Sequence, residues 1–293
     1  MLKSFRGVQI LRSNAVLDSF IKFRQFKYNF AISRKFNDSA SLKSDAKRET
    51  NANTLPKGFK RFWKTATFNS VPEGYLINLD KRILKLTNGT PLVLSHKQKI
   101  LAALIAAEWE AQESTLKPHA LPLTSLVFRG REGLTEPAER ERVISLLLRY
   151  FQTDSIFFYS EFPNVLVNLQ KECWIPIVEW AKTTFKIDIT TYDEIVINQK
   201  QPEQSVNKLK TLLESFSPPK LAALEKAVIV SKSFLIGLAL IERHITVDQA
   251  AKAARIETLA QAEFWGSFEN VHELDDHLTK QDLAAAVCTI MEL

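Results

Sequence analysis

Between residues 59 and 94, polar and apolar positions change in short bursts. FKRFWKTATF, GYLINL and RILKL are rich in aromatic and branched side chains, which suit a half-buried pleated surface. PEG (72–74) and NGT (88–90) are turn sequences, and Asp80-Lys81 fits a two-residue hairpin. PLVL (91–94) is a fourth candidate strand. The pattern predicts a small antiparallel sheet.

The period then becomes helical. Ser95, with Gln98 three residues on, forms a capping box, and the helix it opens is expected to run to about Ser114. Ile100, Leu101, Leu104, Ile105 and Trp109 share one side of the wheel, with Glu108 and Gln112 inside the same arc. Ala102, Ala103, Ala106 and Ala107 make up most of the other side, where Glu110 and Glu113 face water. The large residues are therefore expected to pack, leaving the alanine side open to close approach. HALPLT (119–124) holds a proline and ends this unit.

Helical spacing returns at about 135 and persists. TEPAERERVISLLLRYF carries a stripe of Val143, Leu146, Leu147 and Tyr150, and TDSIFFYS (153–160) reads as a short strand or buried connector. Further helices are predicted over 162–185, with Trp174 and Trp180, and over 203–216, with Val206, Leu209, Leu213 and Phe216. One long buried helix is expected from SPP (217–219) to about Arg243, another capped by Thr246 and Gln249, and a last one from Thr279. The expected class is α+β: a small β-rich N-terminal domain with a packed helix (55–126), then an α-helical domain (127–293).

Glu108 stands out in this scheme. An ionised carboxylate on an apolar face costs several kcal/mol unless it finds partners. Arg61 and Arg82, on the predicted sheet, are the expected ones. Glu108, Trp109, Gln112, Arg61 and Arg82 thus read as a structural set between domains. The alternative is a small enzyme with Glu108 as general acid or base.

Charge adds a separate N-terminal segment. The 293 residues carry a formal +6, but residues 1–54 hold 11 Lys or Arg against 4 Asp or Glu, and the rest 28 against 29. Val16, Phe20, Phe23, Phe26 and Phe30 share one side of a wheel among basic residues and serines, which is the build of a mitochondrial transit peptide. Residues 1–54 are therefore expected to be transit peptide and linker, with cleavage within 35–55. The near-neutral remainder argues against a nucleic-acid surface. The longest apolar run, VIVSKSFLIGLALI (228–241), is short for a membrane span and contains Lys232.

Candidate chemistry is sparse. The sequence contains neither G-x-G-x-x-G, nor a P-loop, nor a G-x-S-x-G elbow. Cys173 and Cys288 read as small core side chains. In HELDDH (272–277) the two histidines fall on different helix faces, so an acidic turn is expected in place of a metal site. No catalytic residue, cofactor or metal is expected. QAEFWGSFENVHELDD (261–276) interleaves Trp265 and two phenylalanines with acids. That suits a protein-binding surface, or a tryptophan that simply caps the helical core.

Ten stretches in register then point to one family: RFWK (61–64), GYLINLDKRILK (74–85), PLVL (91–94), AEWEAQ (107–112), LPLTSL (121–126), TDSIFFY (153–159), WIPIVEWA (174–181), LAAL (221–224), KSFLIGLAL (232–240) and QAEFWG (261–266). The chain resembles the mitochondrial assembly chaperones for the alpha subunit of the F-type ATP synthase catalytic sector. Trp63, Lys81 and Glu110 depart from the usual family residues, and 127–141 matches poorly. The resemblance implies a non-enzymatic, monomeric chaperone of the mitochondrial matrix, without membrane insertion. It would bind the free alpha subunit, shield its interface and hand it over during hexamer assembly. It also implies that Glu263, Trp265 and Glu269 touch the client.

Overall fold

In the computed structural model, the described residues are 60–193, 200–265 and 271–292, with backbone alone at 264–265 and 271–273. Among them the protein is mostly helical with one small antiparallel sheet. Strands β1 (Ala66–Val71) and β2 (Gly74–Leu79) pair along their whole length, with Pro72-Glu73 as the hairpin loop. On its other side β2 pairs with the two-residue strands β3 (Arg82–Ile83) and β4 (Val93–Leu94). Asp80 sits at φ 53 in the second hairpin, and its carboxylate accepts the N–H groups of Lys64 and Thr65. A short Asx side chain tolerates that left-handed backbone best after glycine.

Helix α1 (Lys99–Glu110) follows a single 3-10 turn, and the predicted Ser95–Gln98 capping box is formed. Its packed face is rotated from the predicted one. Leu101, Ala102, Ile105, Ala106 and Trp109 are buried, whereas Ile100 and Leu104 are 42% and 37% exposed. Alanines at 102 and 106 let the sheet lie close, and that contact outweighs burial of the two bulkier side chains.

Pro122 does not end a unit. It opens helix α2 (Pro122–Arg131), which runs unbroken across position 126. Helices α3 (Pro137–Gln152), α4 (Asn164–Cys173), α5 (Ile175–Phe185) and α6 (Glu203–Ser215) follow. The helix predicted over 162–185 is thus two helices meeting at Trp174, where Pro176 lacks the N–H that would continue the ladder. The single buried helix expected after SPP is also two, α7 (Pro218–Ser231) and α8 (Phe234–Ile241). Lys232 turns left-handed at φ 57, and Ser233 caps α8 through the N–H of Ile236. The two pack on each other, and Gly237 makes room: a Cβ there would meet Val228 Cγ2 at 2.7 Å. Every residue of α8 is buried.

Helices α9 (Val247–Ala254), α10 (Ile256–Trp265) and α11 (Val271–Thr289) complete the fold. The last begins ahead of Thr279, so HELDDH is helical instead of a turn. TDSIFFYS forms a 3-10 turn, then an extended piece whose Phe158 bridges Tyr192 in parallel.

Candidate functional site

The densest polar geometry lies where α1 meets α2. Glu108 Oε1 accepts the N–H of Leu123 at 2.7 Å, and Oε2 accepts the N–H of Thr124 at 3.0 Å and its hydroxyl at 2.8 Å. Helix α2 has no capping side chain of its own, because Leu121 stands at its N-cap. Glu108 supplies the cap from the neighbouring helix, where a carboxylate also meets the positive end of the helix dipole. Burial holds its pKa above the ordinary carboxylate value, and the two N–H groups and the Thr124 hydroxyl offset only part of that rise.

The rest of AEWEAQ closes the same corner. Trp109 Nε1 donates to Thr124 Oγ1 at 3.1 Å, and Trp63 Nε1 donates to the Trp109 carbonyl at 3.1 Å. Gln112, 4% exposed, accepts from the Lys117 N–H at 2.9 Å and donates to the Glu108 carbonyl. It holds the loop that carries the chain from α1 to α2.

The two arginines expected beside Glu108 lie elsewhere. Arg61 closes the C-terminal end of α1, donating to the carbonyls of Glu110 and Gln112, and pairs with the Glu110 carboxylate at 3.4 Å. Arg82 stacks its guanidinium 5.0 Å from the Phe62 ring centroid. A helix N-terminus satisfies Glu108 as a cation would, but offers three aligned donors without burying a second charge. The predicted partner was wrong for that reason, and nothing in the linear spacing of Glu108 and Thr124 announced it. The findable signal was Pro122 followed by apolar residues at 123, 126 and 127, a helix start with apolar spacing.

Other helix ends are also closed from a distance. Asp154, fully buried, accepts from the Ser233 hydroxyl at 2.9 Å and from the Leu235 N–H at 3.0 Å, capping α8. Its burial pushes the carboxyl up to about 6. Arg140 donates to the carbonyls of Glu214 and Phe216 at the end of α6. Arg129 on α2 grips Glu225 on α7 through Nε and Nη2, at 2.9 and 3.0 Å, and also binds Glu139 on α3.

At the far end, Glu263 is exposed on the last turn of α10. Helix α10 rests on α4, next to α9, where Trp174 Nε1 donates to the Ala253 carbonyl at 2.9 Å. The Trp265 side chain and Glu269 lie outside the described residues. From HELDDH, Asp276 binds Arg255 at 2.6 Å and Lys280 at 3.0 Å. Among the described residues, no group of three or more His, Cys, Asp or Glu is placed to hold a metal.

These side chains fix angles between helices and satisfy helix ends, which is the build of a rigid scaffold that presents a surface. Residues 60–182 match the family described as ATP12 chaperone protein. The chain is 32% identical over 240 residues to Protein atp12, mitochondrial, of Schizosaccharomyces pombe, covering 79% of this chain and 82% of that one. It is 30% identical over 280 residues to Protein ATP12, mitochondrial, of Saccharomyces cerevisiae, covering 82% and 85%. The crystal structure of Atp12 from Paracoccus denitrificans superposes with a TM-score of 0.63 at 29% identity, over 78% of this chain and 95% of that one. The chain belongs to the ATP12 chaperone family, the assembly chaperones of the ATP synthase. Membership implies a non-enzymatic protein.

Proposed function

We propose that this protein binds the unassembled alpha subunit of the mitochondrial F-type ATP synthase catalytic sector. It acts in the matrix, after residues 1–54 have served as transit peptide and linker. A subunit of a ring exposes interface surface until its neighbour arrives, and such apolar patches drive wrong association. A folded partner that covers the patch and then yields needs complementarity and moderate affinity, without bond chemistry.

The observation that carries this reading is the likeness to two mitochondrial ATP12 proteins across about four-fifths of the chain. The client contact is assigned to Glu263, Trp265 and Glu269. Support comes from Glu263, which is exposed on the last turn of α10. The corner built by Glu108, Trp109 and Gln112 joins α1 to the start of α2, the helix that leads from the β-rich part (55–126) into the helical part (127–293), with Arg61 closing the end of α1. The test is Glu269→Lys in the full chain. Weakened capture of purified alpha subunit with an unchanged melting temperature supports the assignment. A lower melting temperature with unchanged capture makes Glu269 structural.

A further inference from the structure

The loop between β3 and β4 holds the single Asn-Gly pair of the chain, Asn88-Gly89. The loop is closed by the Leu86 N–H on the Thr90 carbonyl at 2.8 Å and the Gly89 N–H on the Leu86 carbonyl at 3.0 Å. Asn88, Gly89 and Thr90 are all exposed. Asn88 Oδ1 accepts the Thr90 N–H at 2.9 Å and the Thr90 hydroxyl at 2.7 Å. A side-chain oxygen that bonds the N–H two residues on must fold back over the peptide between them, as in an Asx turn. The Asn88 side-chain carbonyl is therefore held on the side of the Gly89 nitrogen. Gly89 turns left-handed at φ 86, and a Cβ there would meet nothing within 4 Å. Neither a side chain nor a neighbour obstructs attack from that nitrogen or the approach of water.

We propose that Asn88 is a site of self-modification, in which the Gly89 nitrogen closes on the Asn88 side chain with Thr90 as the promoting residue. The Gly89 N–H gives its proton to hydroxide, and the nitrogen forms a bond to Asn88 Cγ. The Cγ–Nδ2 bond then breaks, and ammonia leaves with a proton from water. Water adds to one carbonyl of the resulting five-membered imide, and opening it gives aspartate or isoaspartate. No electrons are transferred. Negative charge gathers on Oδ1 as the ring closes, and both Thr90 donors already point at that oxygen. One bond opposes the step, because the Gly89 N–H is held by Leu86. It lies in an exposed loop, where local opening is nearly free, so it withholds the nitrogen only briefly.

The product would not fit the loop. The Asn88 N–H donates to Glu132 Oε1 at 2.9 Å, and the Thr87 hydroxyl to Oε2 at 2.6 Å. Glu132 is the C-cap of α2, so these two bonds tie the hairpin to that helix. Conversion puts a second carboxylate on the residue that Glu132 grips, and isoaspartate also adds a methylene to the main chain of a tight turn. Both changes loosen the tie.

The test holds the full chain in warm, mildly alkaline buffer, folded and, in parallel, unfolded in urea. Peptide mapping follows the amide-to-acid mass gain at Asn88, and isoaspartate is labelled enzymatically. The folded parent is expected to convert at Asn88. Thr90→Val, which keeps the N–H and removes the hydroxyl, is expected to convert at least about threefold more slowly, a smaller loss than in an enclosed site because the loop is wet. Thr90→Ser restores the hydroxyl and should convert at the parent rate. In Asn88→Asp the amide of residue 88 is expected to exchange about tenfold faster, the loss of one hydrogen bond to a charged acceptor. Conversion confined to the urea sample overturns the proposal, because the folded loop then shields the pair. Equal folded-state rates in the parent and Thr90→Val overturn the role of Thr90. Unchanged exchange in Asn88→Asp overturns the release from Glu132.

Discussion

Glu108 and Thr124 meet twice: one carboxylate oxygen accepts both the backbone N–H and the hydroxyl of Thr124, at 3.0 and 2.8 Å. The same hydroxyl accepts the Trp109 indole N–H. Three groups from two helices thus form one chain of hydrogen bonds, and removing its terminal acceptor strands the others. Glu108→Ala should destabilise the fold by about 2 kcal/mol, the upper range for loss of a cap. That corresponds to roughly 4–8 °C in Tm at this size. Thermal unfolding measures it, and alpha-subunit affinity should be unchanged.

What the sequence made legible was local. The Ser95–Gln98 and Thr246–Gln249 capping boxes, the Pro72-Glu73 and Asp80-Lys81 hairpins and the α6 stripe each involve residues a few positions apart, and each is formed. What was missed depended on partners distant in the chain. The α7–α8 break needs Asp154, 79 residues from Ser233, to complete the cap of α8. The start of α2 is capped from α1. The rotation of α1 is set by how closely the sheet approaches Ala102 and Ala106, which a helical wheel does not encode. Of the assigned client contacts, Glu263 alone has a described side chain, so the composition of QAEFWGSFENVHELDD remains the main guide to that surface.

Two carboxylates predict opposite pH effects. Asp154 titrates near 6 in the folded chain against an ordinary 3.8, so folding takes up its proton and stability falls as pH rises from about 4 to about 6. Glu139 is held down to about 2 by its hydrogen bond to Arg142, with further support from Arg129. Its contribution is present above its ordinary 4.5 and is lost as pH falls from there toward 2. Melting temperature against pH checks both. Asp154→Asn should flatten the limb between 4 and 6; a limb unchanged from the parent would place the titration elsewhere.

Arg129→Lys should be costly although the charge is kept. A lysine cannot reproduce the paired Nε and Nη2 bonds to Glu225 while also reaching Glu139. Arg129→Met leaves the largely buried Glu225 without its cation, while Glu139 keeps Arg142, and should cost about 3 kcal/mol. Denaturant unfolding of both variants orders them: parent, then lysine, then methionine.

Gly130 lies against the start of α7, where a Cβ would come 2.8 Å from Pro219 Cα. Backbone yields less readily than a side-chain tip, so Gly130→Ala should separate α2 from α7 and cost about 1–3 kcal/mol. A melting temperature equal to that of the parent would show that the contact is looser than its geometry.

The central claim is that this chain shelters an unassembled ATP synthase alpha subunit. The most direct measurement is light scattering of purified alpha subunit warmed with and without this protein, in the absence of nucleotide. The account predicts that scattering is suppressed at near-stoichiometric protein, with a soluble one-to-one complex recovered at micromolar concentrations. Unchanged scattering, with no complex at those concentrations, would contradict it.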